Sequence, residues 1–181
     1  MIVFQEKNLI QQLKFNKVGI MPTDTVYGLV TKIDNEIGLM KIYALKKRNF
    51  EKKMPILVGS IEQLEKLIVF EPKIKSFLKK LNQPTTVIYE KKIDVLKKSA
   101  IWNEKTLAIR LVKWPWLQKI LLTTGPLVAT SCNKINEASA LKWKEILKWE
   151  AQVDFIFHKK TQDCLASELI DWKTKKKLRT R

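Results

Sequence analysis

Val18-Gly19-Ile20-Met21-Pro22-Thr23-Asp24-Thr25-Val26-Tyr27-Gly28-Leu29 joins a short apolar run to a polar segment. Residues 18–21 are apolar and are stopped by Pro22, which is the pattern of a buried strand. Two threonines, an aspartate and a glycine follow directly, as a polar-ligand loop requires. Pro22 stops the hydrogen-bond ladder, the threonine hydroxyls both donate and accept, and Gly28 lets a ligand or a backbone come close. An ordinary turn capped by Asp24 would use the same residues, because polar loops are common.

The flanking chain alternates helices and strands. Leu9, Ile10 and Leu13 predict a helix over 6–14, and Ile37, Met40, Ile42 and Leu45 wind around a helix over 35–47 with a basic C-terminal end. Residues 55–58 read as a strand. Ser60 reads as the N-cap of a helix over 61–69, with Gln63 at capping-box spacing. A helix over 73–81 follows, then β-branched strands over 85–89 and 106–112, a helix over 116–122 and a strand over 126–130. A helix over 140–149, with Leu141, Ile146 and Leu147 inward, precedes strands over 153–157 and 168–170. Such alternation predicts an α/β or α+β architecture on a largely buried sheet. With 181 residues and no repeat, linker or hinge, one domain over 1–181 is expected.

Composition narrows the classes. Apolar residues at 45% and charged residues at 29% describe a globular chain, and no apolar run approaches the ~18 residues of a membrane span. The start, Met1-Ile2-Val3-Phe4-Gln5-Glu6, lacks the basic-then-apolar pattern of a signal peptide. Cys132 and Cys164 are too few for a disulfide scaffold and lack metal-ligand spacing, so a reducing cytoplasm is expected. The net charge of +17 favours polyanionic partners such as nucleotides, RNA or acidic surfaces. Drift toward lysine in a Lys-, Ile- and Asn-rich chain would raise the charge equally well. Two clusters stand out: residues 46–53, and the acid-free tail over 173–181.

Three further segments carry candidate chemistry. Lys46 and Arg48 flank Lys47 at a helix end, with Lys52 beyond. If the chain extends there, both side chains face one way and could grip a phosphate chain; otherwise they form a solvated basic terminus. Ser131 and Asn133 alternate at a strand exit with Ser139 downstream, which suits either a nucleotide or an Asx turn. In Thr106-Leu107-Ala108-Ile109-Arg110, Leu107 and Ile109 face one side and Thr106, Ala108 and Arg110 the other. An arginine on the cleft side of a strand calls for a carboxylate or phosphate, and one on a half-exposed strand faces solvent. There is no P-loop and no dinucleotide glycine motif, and His158 is the only histidine. Cys132 reads as a small packed residue. The six tryptophans could form an RNA-stacking platform, although Trp143 and Trp149 have the spacing of packing residues.

Taken in order, these segments resemble the YrdC-like family of threonylcarbamoyl-AMP synthases. The resemblance rests on Pro22 to Leu29, Lys46-x-Arg48, Pro55-Ile56-Leu57-Val58, Thr106-x-x-x-Arg110, Ser131-x-Asn133 with Ser139, Ser167 and Arg179. It implies an open, twisted, mixed sheet with flanking helices around a basic concave cleft, in the short form without an added C-terminal domain. It also implies that Thr25, Arg110 and Ser167 hold L-threonine. Lys46, Arg48 and Lys52 would line the ATP and bicarbonate side, with Lys46 and Arg48 catalytic. Thr106, Ser131, Asn133, Ser139 and Arg179 would contact the nucleotide. Mg²⁺ would arrive with ATP, and the product would feed the tRNA threonylcarbamoyl transferase machinery. The chain departs from the family in glycine-poor segments at 82–86 and 135–137, in Leu57 where some members carry histidine, and in Glu168 after Ser167.

A rival reading keeps the fold and its basic cleft but not the chemistry. The +17 charge and the tail over 173–181 would then serve a non-catalytic RNA-binding protein, and that tail is open to contact with tRNA or double-stranded RNA in either case.

Overall fold

A computed structural model describes residues 1–50, 52–96, 100–133, 143–161 and 165–180. In chain order the elements are β1 (Ile2–Val3), α1 (Glu6–Lys14), β2 (Gly19–Pro22), β3 (Tyr27–Lys32), α2 (Glu36–Leu45), β4 (Ile56–Val58), α3 (Ile61–Glu65), α4 (Pro72–Lys80), β5 (Thr85–Glu90), β6 (Thr106–Leu111), α5 (Pro115–Thr124), β7 (Leu127–Ser131), α6 (Trp143–Leu147), β8 (Phe155–Phe157), β9 (Glu168–Asp171) and β10 (Lys177–Arg179). The strands form one open mixed sheet in the order β1-β8-β2-β3-β7-β4-β6-β5-β9-β10. None of its described helices is long and apolar enough to cross a membrane.

Strand alternation divides the core in two. On one face Ile20, Leu29, Val128, Ile56, Val58, Leu107 and Ile109 meet Ile42, Tyr43, Leu64, Ile74, Leu78 and Ile146 of α2, α3, α4 and α6. On the other, Met21, Val30, Leu57, Leu127, Phe155 and Phe157 meet Leu9 and Leu13 of α1 and Leu117, Ile120 and Leu121 of α5. The register extends that second face across the sheet, since Leu57 stands beside Arg110, Ala108 beside Ile88, and Thr86 beside Leu169. The α1–α5 layer packs on the β1-to-β4 part of this face. The rest of it, over β6, β5 and β9, forms the floor of a cleft together with Gly28 of β3 and Ala129 and Ser131 of β7.

The expected helix over 6–14 is α1 residue for residue, and Ser60 caps α3 by accepting from the Gln63 amide at 3.3 Å. Gln63 completes the cap through Gly59, whose amide donates to Oε1 at 2.8 Å. Two expectations need correction. The polar segment ending at Leu29 reads as a loop, yet residues 27–32 are a central strand; β3 pairs with β2 and β7, and Pro22 ends β2 opposite Tyr27. The α2 helix buries Leu39, Ile42 and Tyr43 and leaves Ile37 82% and Met40 53% exposed, because the small Gly38 turns that side toward the sheet. The last predicted helix is described from Trp143 on, with Ile146 buried and Leu147 half-buried; Leu141 lies outside the described residues.

Gly19 is required by packing rather than by backbone conformation. A methyl group there would fall on the Phe155 ring. Gly19→Ala is therefore expected to destabilise the protein by about 1–3 kcal/mol, as overpacking does, with a matching drop in the urea midpoint at unchanged m-value.

Candidate functional site

The cleft has a volume of about 460 Å³ and is walled by strand ends from across the sheet. Its floor carries small or polar side chains where the opposite face carries large apolar ones: Gly28, Ala129, Ser131, Arg110, Ala108, Thr106 and Thr86. This is the alternation read from Thr106 to Arg110, and it places Thr106 and Arg110 on the cleft side as expected. A Cβ at Gly28 would meet Thr23 Cγ2 at 3.3 Å and Thr130 O at 3.5 Å, so the glycine keeps the floor low.

The turn over 23–26 links β2 to β3 and is buried throughout, although three of its four residues are polar. Its hydroxyls form a directed chain. Thr23 Oγ1 donates to Val26 O at 2.7 Å and accepts the Thr25 amide at 3.2 Å. Thr23 Oγ1 and Thr25 Oγ1 are 2.9 Å apart, and Arg110 Nη2 donates to Thr25 Oγ1 at 3.4 Å. Asp24 Oδ1 lies 2.8 Å from Arg110 Nη2, with side chains only 8% and 6% exposed. Sequence reasoning gave Asp24 to a polar-ligand loop or a turn cap and named no partner for it; a partner so distant in the chain leaves no local pattern.

Lys46 and Arg48 part company. The α2 helix ends in a Schellman turn: the Lys47 amide donates to Ala44 O at 3.0 Å and the Arg48 amide to Tyr43 O at 3.0 Å, with Lys47 at φ 48. The chain does not extend here, so the two side chains do not share a face, which corrects the extended reading. Lys46 is buried and donates to Ser131 O at 2.8 Å, to Asn133 Oδ1 at 2.6 Å and to Asn133 O. Asn133 Oδ1 also accepts from Ser131 Oγ at 2.6 Å. Lys46 and Asn133 thus stand behind the cleft and hold the loop that presents Ser131. Arg48 enters the cleft with Lys52, steadied by Lys52 O at 2.7 Å and Lys53 O at 2.8 Å.

On the far wall Thr86 Oγ1 and Ser167 Oγ are 2.9 Å apart. Arg179, from the edge strand β10, donates to Ser167 O at 2.9 Å and to Ser167 Oγ at 3.2 Å. Thr86, Lys53 and Glu104 line the cleft without having been singled out from sequence. For Thr86 the signal was present, in the threonine pair opening a β-branched strand. Ser139 lies outside the described residues. Of the departures, Leu57 is buried in the α1–α5 core, and Glu168 is buried against Lys177 at 3.0 Å.

Electrostatics favour anions. Glu104 is the one acidic residue among the described residues lining the cleft, and it is taken by Lys53 at 3.2 Å. Burial lowers the Arg48 pKa, and burial, then the charges of Arg110 and Arg48, lower that of Arg179. Burial likewise pushes the Cys132 thiol up to about 12 against the pull of Lys46, which leaves it a packed thiol and no nucleophile. His158 contacts Phe4 and Trp143 and does not line the cleft.

The Sua5/YciO/YrdC family model, described as telomere recombination, matches residues 11–180. The threonylcarbamoyl-AMP synthase of Riesia pediculicola is 28% identical over 147 residues, 77% of this chain and 78% of that protein. The threonylcarbamoyl-AMP synthase of Bacillus subtilis is 31% identical over 137 residues, 74% of this chain but only 40% of that protein. The solved structure of P. abyssi Sua5 complexed with L-threonine superposes with a TM-score of 0.83 at 22% identity, covering 96% of this chain and 54% of that one. That likeness is one of fold.

Two substitutions test the divergence at the end of α2. Lys46→Met leaves carbonyl acceptors unpaired and is expected to cost about 2–3 kcal/mol in urea unfolding. Lys47→Gly relieves a left-handed residue that costs about 1–2 kcal/mol, less the extra chain entropy of glycine, for a net gain of about 0.5–1 kcal/mol.

Proposed function

The chain belongs to the Sua5/YciO/YrdC family, and from that premise we propose that it is an L-threonylcarbamoyladenylate synthase, making threonylcarbamoyl-AMP and pyrophosphate from L-threonine, bicarbonate and ATP. The observation that carries the reading is the convergence of Arg48, Arg110 and Arg179 on one hydroxyl-lined cleft whose lining acid is already paired. Three mutually repelling guanidiniums are relieved by a polyanion, and a nucleoside triphosphate with an amino-acid carboxylate supplies one.

The threonine amine adds to bicarbonate-derived carbon, losing water to give a carbamate. A carbamate oxygen then attacks the α-phosphorus of ATP, and the bond to the β-phosphate oxygen breaks as pyrophosphate leaves. No protein nucleophile is needed, so positioning and charge neutralisation carry the rate. Arg48, Lys52 and Arg179 neutralise the phosphates, and Ser131, Thr106 and Asn133 belong to the nucleotide side. Arg110, Thr25 and Ser167 take the amino acid, since a guanidinium binds a carboxylate through paired donors. Lys46 serves the catalytic loop through Ser131 and Asn133.

No group of three or more His, Cys, Asp or Glu residues that could hold a metal occurs among the described residues. In this reading Mg²⁺ would be carried in on the triphosphate, where it would offset phosphate charge. The reading places the reaction in the cytosol, with the product passing to the tRNA threonylcarbamoyl transferase machinery. Lys173, Lys175, Lys176 and Lys177 are exposed on the outside of the terminal hairpin while Arg179 reaches the cleft, so contact with tRNA or double-stranded RNA falls to those lysines.

The test is incubation of the protein with ATP, Mg²⁺, bicarbonate and labelled threonine. Pyrophosphate and a threonine-containing adenylate should appear together, and only when threonine and bicarbonate are both present. Arg48→Ala should cut that rate by about 100-fold or more while the melting temperature holds. Unchanged turnover in that variant would remove Arg48 from the assignment, and no adenylate from the folded wild type would remove the reaction.

A further inference from the structure

Asp24 does not line the cleft; it stands behind Arg110, which does. Arg110 Nη2 lies 2.8 Å from Asp24 Oδ1 as an ion pair without hydrogen-bond alignment, and donates to Thr25 Oγ1 at 3.4 Å. Its Nε is shielded from water and has no hydrogen-bond partner among the described residues, so one donor of a buried guanidinium is unspent. An unmet buried donor is costly, and it is tolerated here beside the Asp24 carboxylate, while Arg110 itself lines the cleft. Thr23 gives its hydroxyl proton to Val26 O, so between the two threonines the Thr25 hydroxyl must donate to Thr23. Thr25 Oγ1 therefore faces outward as an acceptor only, with Arg110 on one lone pair and the other open.

We infer that Asp24 and Thr23 are positioning residues for an amino-acid subsite. Asp24 holds the Arg110 guanidinium so that its cleft-facing edge meets the substrate carboxylate, and Thr23 holds Thr25 as an acceptor for a substrate N–H or O–H. The inference rests on the proposed reading for the identity of the amino acid, and it assigns Asp24 a role that acts through Arg110 alone. Removing the Asp24 charge frees Arg110 to swing or to recruit a nucleotide phosphate. The loss then falls on threonine and not on ATP, whose phosphates meet Arg48, Lys52 and Arg179.

The experiment is calorimetric titration of L-threonine into the full chain, with KM measured separately for threonine and ATP. Asp24→Asn is expected to weaken threonine binding by about tenfold and raise its KM alike, with kcat and the KM for ATP held within about twofold. Breaking a buried ion pair can unfold a chain, so the cycle is closed with Arg110→Gln and the double variant, which carries no uncompensated charge. The double variant should bind threonine no worse than Arg110→Gln alone. Asp24→Asn with unchanged threonine affinity, equal losses for threonine and ATP, or a double variant weaker than Arg110→Gln would each overturn the assignment. A folded wild type that binds no threonine would instead overturn the functional reading, and the subsite with it.

Discussion

The ion pair of Asp24 and Arg110 joins parts of the sheet that strand pairing alone keeps apart. Asp24 belongs to the turn between β2 and β3, and Arg110 to β6, with β7 and β4 between them. Both side chains are almost wholly buried, so each has lost its water shell, and their mutual attraction recovers that loss only in good geometry. A hydrophobic pair of similar volume would serve stability as well or better. What the ion pair adds is a fixed guanidinium at the junction of two cleft walls, with the hydroxyl chain of Thr23 and Thr25 oriented beside it. The turn satisfies most of its own hydroxyls and amides, Arg110 supplies its carboxylate with a counter-charge, and Arg110 is buried because the turn brings that carboxylate to it.

The same economy governs the other walls. Lys46 spends its ammonium on Ser131 and Asn133, and Arg179 spends two donors on Ser167, which itself meets Thr86. Arg110 is backed by the acid Asp24, but on these walls Lys46 and Arg179 are backed by backbone carbonyls and neutral side-chain oxygens. A cleft built this way keeps its positive potential, because carbonyl oxygens satisfy donors without cancelling charge. Carboxylates in place of those carbonyls would have steadied the loops equally well and neutralised the site.

Much of this was legible where a single element carries the signal. The period of two in Thr106 to Arg110 separated cleft face from core face, and Ser60 with Gln63 marked a helix start. The strand β3 was not legible as such. Its glycine and its polar approach resemble a loop, and only pairing with β2 and β7 makes Tyr27 to Lys32 a central strand. Helix α2 misled for a related reason: Ile37 and Met40 are as apolar as the residues it buries, and Gly38 decides which side approaches the sheet. The partition of Lys46 from Arg48 depended on one left-handed residue, Lys47, which no propensity would place there. Asp24 with Arg110 is a long-range pairing, and sequence spacing is silent on those.

Lysine abundance has two explanations, compositional drift and function, and the distribution of arginine separates them. The chain holds four arginines among 35 basic residues: Arg48, Arg110, Arg179 and Arg181. Three of the four line the cleft, while every other basic position except Arg181 is lysine. A drift toward lysine passes wherever a point charge suffices, since an exposed ammonium and an exposed guanidinium repel and solubilise alike. It stops where a planar fork must meet a carboxylate, a phosphate or a carbonyl with two donors in fixed geometry. Arg48 on two successive carbonyls, Arg110 between a carboxylate and a hydroxyl, and Arg179 on both oxygens of one serine are such places. Those three positions are where lysine would not do, whereas Lys52 and Lys53 beside them in the cleft need only supply a point charge.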